Sequence, residues 1–308
     1  MADRRPFPFM VIVIVLLIAG SVLFVSVQRL SQDLASSTGT ASSTAIHDAA
    51  IAGDVDALRA QLAAGADPDT PTGSTNRYLD GRTALMLALE RDSFACVRAL
   101  IEGGADVNAR STVGQTPLIL AAGWAGPESV QALIDAGARI DARNSDGWTA
   151  TIMAAGRGRL ETLQELVNAG ANIDARNKHG QTALMLACYT GSAPMLRILL
   201  DAGANISIRD NQGQTALSVL ASTSGASADA VRLLAQNGAD PNASDNDGVS
   251  ILMKACELGD PEKVRALLAL GADPQLRDTE GRSAADWARA RDDEIGQQIA
   301  QILESHGG

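Results

Sequence analysis

Residues 180–212 read GQTALMLACYTGSAPMLRILLDAGANISIRDNQ, and Gly213 then begins a second copy of the same pattern. Thr182 is placed to cap a short helix with an apolar face, and Gly191 ends that helix. A second apolar helix follows and ends at Gly203, because glycine tolerates the left-handed conformation that closes helices. Neither helix buries its apolar stripe alone, so the pattern predicts helix pairs that stack on neighbouring pairs.

This pattern recurs along the chain with an almost constant period. The glycine of G-x-[TS]-x-[LIA] occurs at Gly81, Gly114, Gly147, Gly180, Gly213, Gly248 and Gly281. A second series, Gly-Ala followed by Asp, Asn or Arg, keeps step with it at Gly65, Gly104, Gly137, Gly170, Gly203, Gly238 and Gly271. Extra residues interrupt the period twice, in Thr70 to Asp80 and around Ser222 to Ser227. The periodicity predicts an array over residues 45–308, with seven repeats and a terminal capping unit.

The repeated pattern resembles the ankyrin repeat. Thr182-Ala183-Leu184-Met185 and Thr116-Pro117-Leu118-Ile119 stand in the place of the family's T-P-L-H motif, and residues 104–109 match its G-A-D-V-N-A loop. The resemblance implies an all-α solenoid of stacked helix-turn-helix units with extended, hairpin-like loops. The motif histidine is present only as His47, and Met, Ile, Ser or Asp replaces it elsewhere. We expect the apolar substitutes to pack in its place.

The N-terminal segment, residues 1–30, differs from the array. Phe9 to Val27 are 19 consecutive uncharged residues, about 28 Å long as a helix, and the hydrocarbon core of a bilayer is about 30 Å thick. We therefore expect an uncleaved signal anchor with one transmembrane helix; the alternative is a cleaved signal peptide. The Ser/Thr/Ala/Gly-rich residues 31–44 are expected to form a flexible tether.

Charge and composition suggest where the protein resides. Arg4 and Arg5 precede the apolar segment, which favours a cytoplasmic N-terminus and places the repeats outside. Arginine outnumbers lysine 22 to 3 and alanine is abundant, as in proteins from GC-rich bacterial genomes. We expect a single-pass protein of the bacterial inner membrane with its repeats in the periplasm, or a periplasmic protein if the segment is cleaved.

The sequence offers little material for catalysis or for metal binding. The net charge of −11 argues against nucleic-acid binding, and three histidines and three cysteines are widely spaced. Asp245 to Gly248 faintly resembles a calcium loop, but Lys254 occupies the position that requires a bidentate glutamate. We interpret the acidic turn as solvated and the cysteines as buried, inert thiols. We predict no enzyme activity, no cofactor, no metal and no small-molecule substrate.

The family resemblance also implies where a partner would bind. Ankyrin arrays bind through a concave face made by the loop tips and the exposed ends of the first helices. By register, this face includes Trp124, Trp148, Arg157, Lys178, His179 and Tyr189. Tryptophan and tyrosine are enriched at binding hot spots. The alternative for Trp124 and for Trp148 is packing against adjacent repeats, and Trp287 is interpreted as structural.

Two functions fit these expectations. The first is a membrane-tethered, non-catalytic scaffold or adaptor that binds a protein partner through the concave face. The second is an immunity or inhibitor protein that neutralises a toxic effector in the periplasm, since the chain from Ser31 onward has a net charge of −13 and an acidic concave surface would suit a basic toxin.

Overall fold

Short helices in consecutive pairs make up the protein. The structure, a computed structural model, describes residues 41–73, 80–224 and 228–306. These ranges contain sixteen α-helices and no strand, apart from an isolated antiparallel bridge between Ser244 and Ser250. The prediction of an all-α repeat architecture is therefore confirmed.

The helices form eight pairs, called units 1 to 8 in chain order. The first helices of the units are α1 (Ala41–Ala52), α3 (Ala84–Glu90), α5 (Pro117–Trp124), α7 (Ala150–Gly156), α9 (Ala183–Thr190), α11 (Ala216–Ala221), α13 (Ile251–Leu258) and α15 (Ala284–Arg289). The second helices are α2 (Val55–Ala63), α4 (Phe94–Glu102), α6 (Pro127–Asp135), α8 (Leu160–Asn168), α10 (Ala193–Asp201), α12 (Ala228–Gln236), α14 (Pro261–Ala269) and α16 (Glu294–Glu304). From α3 onward first helices pack on first helices, and from α2 onward second helices pack on second helices, as in a solenoid.

The boundaries of the first helices follow from their capping residues. In unit 5 the backbone N–H of Met185 donates to Thr182 Oγ1 at 3.4 Å, and Gly191 ends α9 with a left-handed φ of +65°. Thr or Ser forms the same cap in every first helix from α3 to α15. The predicted helix boundaries in residues 180–212 are confirmed.

Alanine, leucine and other small or aliphatic residues form the core between the units. The residues that replace the motif histidine in units 2 to 7 are buried, as are all three cysteines. Burial raises the pKa of Cys256 to about 12 and also raises the pKa of Cys188, so these thiols stay protonated. His47 is buried in unit 1, where its Nε2 lies 2.8 Å from the carbonyl oxygen of Thr70.

The loops between the units end in five-residue turns, which we call tip turns, such as Asn177–Gln181 in unit 5. The Oδ1 atom of Asn177 accepts the backbone N–H groups of His179 and Gln181. Adjacent tip turns are joined by backbone hydrogen bonds; the Lys178 N–H donates to the Asp146 carbonyl at 2.9 Å. The loops therefore stack on each other just as the helices do.

The insertion in the first loop is closed by the same hydrogen bonds as an ordinary tip turn. Thr72 N–H donates to the Arg82 carbonyl at 2.7 Å, and Gly81 N–H donates to the Thr72 carbonyl at 2.9 Å. The Arg82 N–H in turn donates to Thr72 Oγ1 at 3.0 Å. Ser111 and Gln115 make the equivalent contacts in unit 3 with six fewer residues between them.

The N-terminal predictions fall mainly outside the described residues. The predicted transmembrane helix at Phe9 to Val27 lies there, as do residues 31–40 of the predicted tether. Helix α1 begins at Ala41, within the last part of that tether. Of the helices that the structure describes, none has the length and apolar character needed to cross a bilayer.

Candidate functional site

In units 2 and 4 the residue after the motif glycine lies beside the last turn of the first helix in the same unit. In unit 4 these positions are Trp148 and Gly156, and a Cβ atom on Gly156 would lie 3.5 Å from Trp148 Cζ3. In unit 2 the same positions hold a buried ion pair between Arg82 and Glu90. The tighter neighbour of a Cβ atom on Gly156 is Leu186 Cδ1 of unit 5, at 2.8 Å, so Gly156 lies between Leu186 and the half-buried Trp148.

Trp124 ends α5 in unit 3 and is half-buried beneath an arginine of unit 4. The Arg157 Cζ atom lies 4.5 Å from the centroid of the Trp124 ring, within the range of a cation–π contact. Gly123, beside Trp124, packs closely on unit 4, because a Cβ atom there would lie 3.1 Å from Met153 Cγ. Burial lowers the pKa of Arg157, and the positive charge of Arg159 lowers it further.

Arg159 fixes the end of α5 from the neighbouring unit. Its Nε donates to the Gly123 carbonyl at 3.3 Å, and its Nη2 donates to the Trp124 carbonyl at 2.8 Å. The last carbonyl groups of a helix have no partner within the helix, so this arginine satisfies two of them. Arg159 thereby has a structural role, whereas Arg157 presents its guanidinium on the Trp124 ring.

Tyr189 occupies the end of α9 in unit 5 and is half-buried. Burial and, to a smaller extent, the charge of Asp210 raise the pKa of its phenol to about 12, against the opposing effect of a hydrogen bond with Gln181. Asp210 begins the tip turn of unit 6, and its Oδ1 accepts two backbone N–H groups. Burial also raises the pKa of Asp210. Tyr189 is therefore a neutral hydrogen-bonding aromatic residue at physiological pH.

Lys178 and His179 lie at the exposed tip turn of unit 5. Lys178 Nζ approaches Asp146 Oδ1 of unit 4 at 3.4 Å, and about two-thirds of each side chain is exposed. An exposed pair of this kind contributes little stability. Both residues are free to contact a partner.

The structure joins some of the predicted site residues directly. Trp124 and Arg157 are in contact, and Trp148 lies beside Gly156, which precedes Arg157. Lys178, His179 and Tyr189 belong to the next unit in the stack. We call Trp124, Trp148, Arg157, Lys178, His179 and Tyr189 the candidate surface.

The Trp287 ring makes contacts within unit 8. Its Nε1 donates to Asp278 Oδ2 at 2.9 Å, and the Arg282 guanidinium lies 4.6 Å from its ring centroid. Bonds to both residues lower the pKa of Asp278, although burial alone would raise it. These contacts support the interpretation of Trp287 as a structural residue.

A row of arginines along the loops was not identified from the sequence. Arg110 donates through Nη2 to the carbonyl of Arg143 at 2.8 Å, and Arg176 donates likewise to the carbonyl of Arg209. Arg143 makes the corresponding bond to the carbonyl of Arg176. The signal was present, since arginine recurs every 33 residues just before the tip turn. Because these side chains bridge successive loops, their first role is to hold the stack together.

The charges of the array are unevenly distributed. On the tip turns and first-helix ends of units 3 to 5, the charged residues are Asp146, Arg157 and Lys178, which carry a small net positive charge. Exposed acids lie further along, in units 7 and 8, at Asp247, Glu257 and Glu280. The candidate surface is therefore not acidic, and these exposed acids lie at the tip turns and first-helix end of units 7 and 8.

The turn that faintly resembled a calcium loop has a structural explanation. Asp245 Oδ1 accepts the N–H groups of Asp247 and Val249, and Asp245 Oδ2 lies 2.7 Å from Lys254 Nζ. The Asp245 and Lys254 side chains are only 11% and 5% exposed. The prediction of a solvated turn is therefore wrong for Asp245. The described ranges contain no group of three or more His, Cys, Asp or Glu side chains that could hold a metal ion.

The comparisons with known proteins agree with the geometry. Residues 46–144, 125–210 and 205–278 each match the family model described as "Ankyrin repeats (3 copies)". Together the three matches cover most of the chain and run from unit 1 into the loop that precedes unit 8. No curated protein matches the chain significantly.

Proposed function

The chain belongs to the ankyrin-repeat family, whose arrays serve as protein–protein interaction modules and are typically non-catalytic, and we propose that it is a scaffold or adaptor that binds a protein partner through the candidate surface. The observation that carries this proposal is the contact between Trp124 and Arg157 across units 3 and 4. Tryptophan, tyrosine and arginine are enriched among the residues that contribute most to binding, and a side chain that is already held in place loses less entropy when a partner binds.

The neighbouring residues support the same surface. Trp148 and Tyr189 are also half-buried, so each residue is partly exposed to solvent and partly packed against the array. Lys178 and His179 add exposed polar groups at the adjacent tip turn. An apolar centre with a polar margin is the usual composition of a protein interface.

We further propose that the N-terminal segment tethers this scaffold to the bacterial inner membrane, with the repeats in the periplasm. The support is the uncharged length of Phe9 to Val27 and the arginines that precede it. Membrane fractionation followed by protease treatment of intact spheroplasts tests this topology. Degradation of the repeats only after the membrane is permeabilised would contradict it.

Site-specific photo-crosslinking in intact cells tests the binding surface. A photoreactive amino acid at exposed Thr190 lies next to Tyr189, whereas one at exposed Glu161 on α8 serves as the matched control. We expect a protein that is captured from position 190 and not from position 161. Capture must also fall when Trp124 and Trp148 are both changed to alanine, with helical circular dichroism unchanged. Equal capture from both positions, or capture unaffected by the two alanines, would remove this surface assignment.

A further inference from the structure

The three cations around Trp124 and Trp148 differ in what they bind. Arg159 donates to the carbonyl oxygens of Gly123 and Trp124, and Lys178 is paired with Asp146. Within the described part of the chain, the guanidinium of Arg157 makes neither a hydrogen bond nor an ion pair with any residue. Its only described contact is the Trp124 ring, which satisfies a face of the guanidinium and none of its N–H donors.

This arrangement holds Arg157 ready to bind an anion. Stacking on Trp124 restricts the long side chain, so less entropy is lost when a ligand binds its N–H groups. Half-burial reduces the competition from water, which strengthens a charge-assisted hydrogen bond compared with one at a fully exposed site. A planar guanidinium with free donors matches a carboxylate in a two-bond, side-by-side geometry.

We propose that the protein partner places a carboxylate on the N–H groups of the Arg157 guanidinium. The carboxylate comes from an aspartate, a glutamate or the C-terminus of the partner. This inference rests on the proposed function and specifies the chemistry of the partner. Charge complementarity supports it, because Arg157 and Lys178 outnumber Asp146 on this part of an otherwise acidic array. The aromatic rings of Trp124 and Trp148 favour an apolar side chain beside that carboxylate.

Selection from a displayed library of random 12-residue peptides tests the proposal with the full-length chain. Binders are kept if their affinity falls at least tenfold on Trp124→Ala, so that only peptides on this surface are analysed. We expect these peptides to contain an acidic residue or to need a free C-terminus. Replacing that group by Gln, Asn or a C-terminal amide should raise the Kd at least tenfold.

A double-mutant cycle then assigns the carboxylate to Arg157. Arg157→Gln should raise the Kd of the original peptide by the same factor, and the two changes together should cause little further loss, because they remove one shared interaction. Arg197→Gln, at an exposed position on α10, is the matched control and should leave the Kd unchanged. A urea titration of each variant separates loss of binding from loss of folding.

The outcomes distinguish the two proposals. Peptides that need Trp124 but bind equally well without any carboxylate would overturn this inference and leave the interaction surface in place. Additive losses in the cycle would also overturn it, because the carboxylate would then bind elsewhere. If every selected peptide is indifferent to Trp124→Ala, the candidate surface itself fails as a binding site, and the carboxylate inference fails with it.

Discussion

The Nη2 atom of Arg159, in unit 4, lies 2.8 Å from the carbonyl oxygen of Trp124, in unit 3. The bond crosses the boundary between two units and holds the end of the helix that carries Trp124, a residue of the candidate surface. Arg157, two residues earlier, contacts the same tryptophan through its ring. Two arginines of one loop thus have different tasks, one structural and one available for binding.

Arg159→Ala is expected to lower the free energy of unfolding by about 2 kcal/mol, because it removes hydrogen bonds from a charged donor to the Gly123 and Trp124 carbonyls. Urea denaturation followed by circular dichroism measures the change. Arg197→Ala, at an exposed position on α10, should change the stability far less. Equal effects of the two substitutions would contradict the assigned role of Arg159.

Substitution of two glycines by alanine distinguishes the cost of a left-handed backbone from the cost of a steric clash. Gly180 and Gly203 have φ values of +79° and +84°, but a Cβ atom on Gly180 would lie 2.6 Å from Asn211 Oδ1, whereas one on Gly203 meets nothing within 4 Å. Gly203→Ala should cost about 1–2 kcal/mol from the left-handed backbone alone. Gly180→Ala should cost about 1–3 kcal/mol more, because the tip turns must separate. Chemical denaturation of both variants gives the comparison, and similar losses would argue against close stacking of the tip turns.

The stability of unit 7 is expected to depend on both residues of the buried ion pair between Asp245 and Lys254. Lys254→Ala should destabilise the protein by about 3–5 kcal/mol, because Asp245 would be left as an uncompensated buried charge. Asp245→Ser with Lys254→Leu copies the combination of Ser111 and Leu120 in unit 3, and it should recover most of that loss. Thermal unfolding of the single and double variants tests this. A double variant no more stable than Lys254→Ala would show that the pair itself is needed.

Asp210 gives a prediction about pH. Burial raises the pKa of Asp210 in the folded protein above the value near 4 of an unfolded aspartate. Ionised Asp210 therefore lowers the stability of the folded protein at neutral pH. This loss disappears as the pH falls through the folded-state pKa towards the unfolded-state pKa, because the carboxyl is then protonated in both states. Asn144 and Asn177 occupy the equivalent positions in units 4 and 5. Asp210→Asn should therefore equal or exceed the wild-type stability at pH 7, and its advantage should vanish near pH 4. Urea titrations at several pH values measure the difference; an advantage that grows as the pH falls would have the wrong sign.

The helix pairs were predictable because they follow from local rules repeated at a fixed period. A capping threonine, an apolar face and a closing glycine are all visible in residues 180–212, and the structure confirms each of them. The candidate surface was predictable only by position, because register places a residue on a face without defining its contacts. That Arg157 lies on Trp124 depends on the stacking of two units, and no local pattern contains that information.

Other features were missed because they join residues that are distant in sequence. The pair of Lys254 with Asp245 places a lysine where units 2 to 6 carry leucine, methionine or valine, so a pattern of apolar positions treats it as an exception. The bridging bonds of Arg110 and Arg176 each connect one loop to the next. The acidic net charge suggested an acidic binding face, but a sum over the whole chain does not say where its charges lie.

The closure of the first loop by Thr72, Gly81 and Arg82 has a consequence for protein engineering. Those three residues complete the hydrogen bonds of a tip turn. The number of residues between Thr72 and Gly81 can therefore change without altering the positions of the chain before and after them. An epitope tag or a fluorescent reporter inserted there would have its two ends joined by native contacts. The site therefore offers a way to label the array internally while both of its termini and the surface around Trp124 stay unmodified.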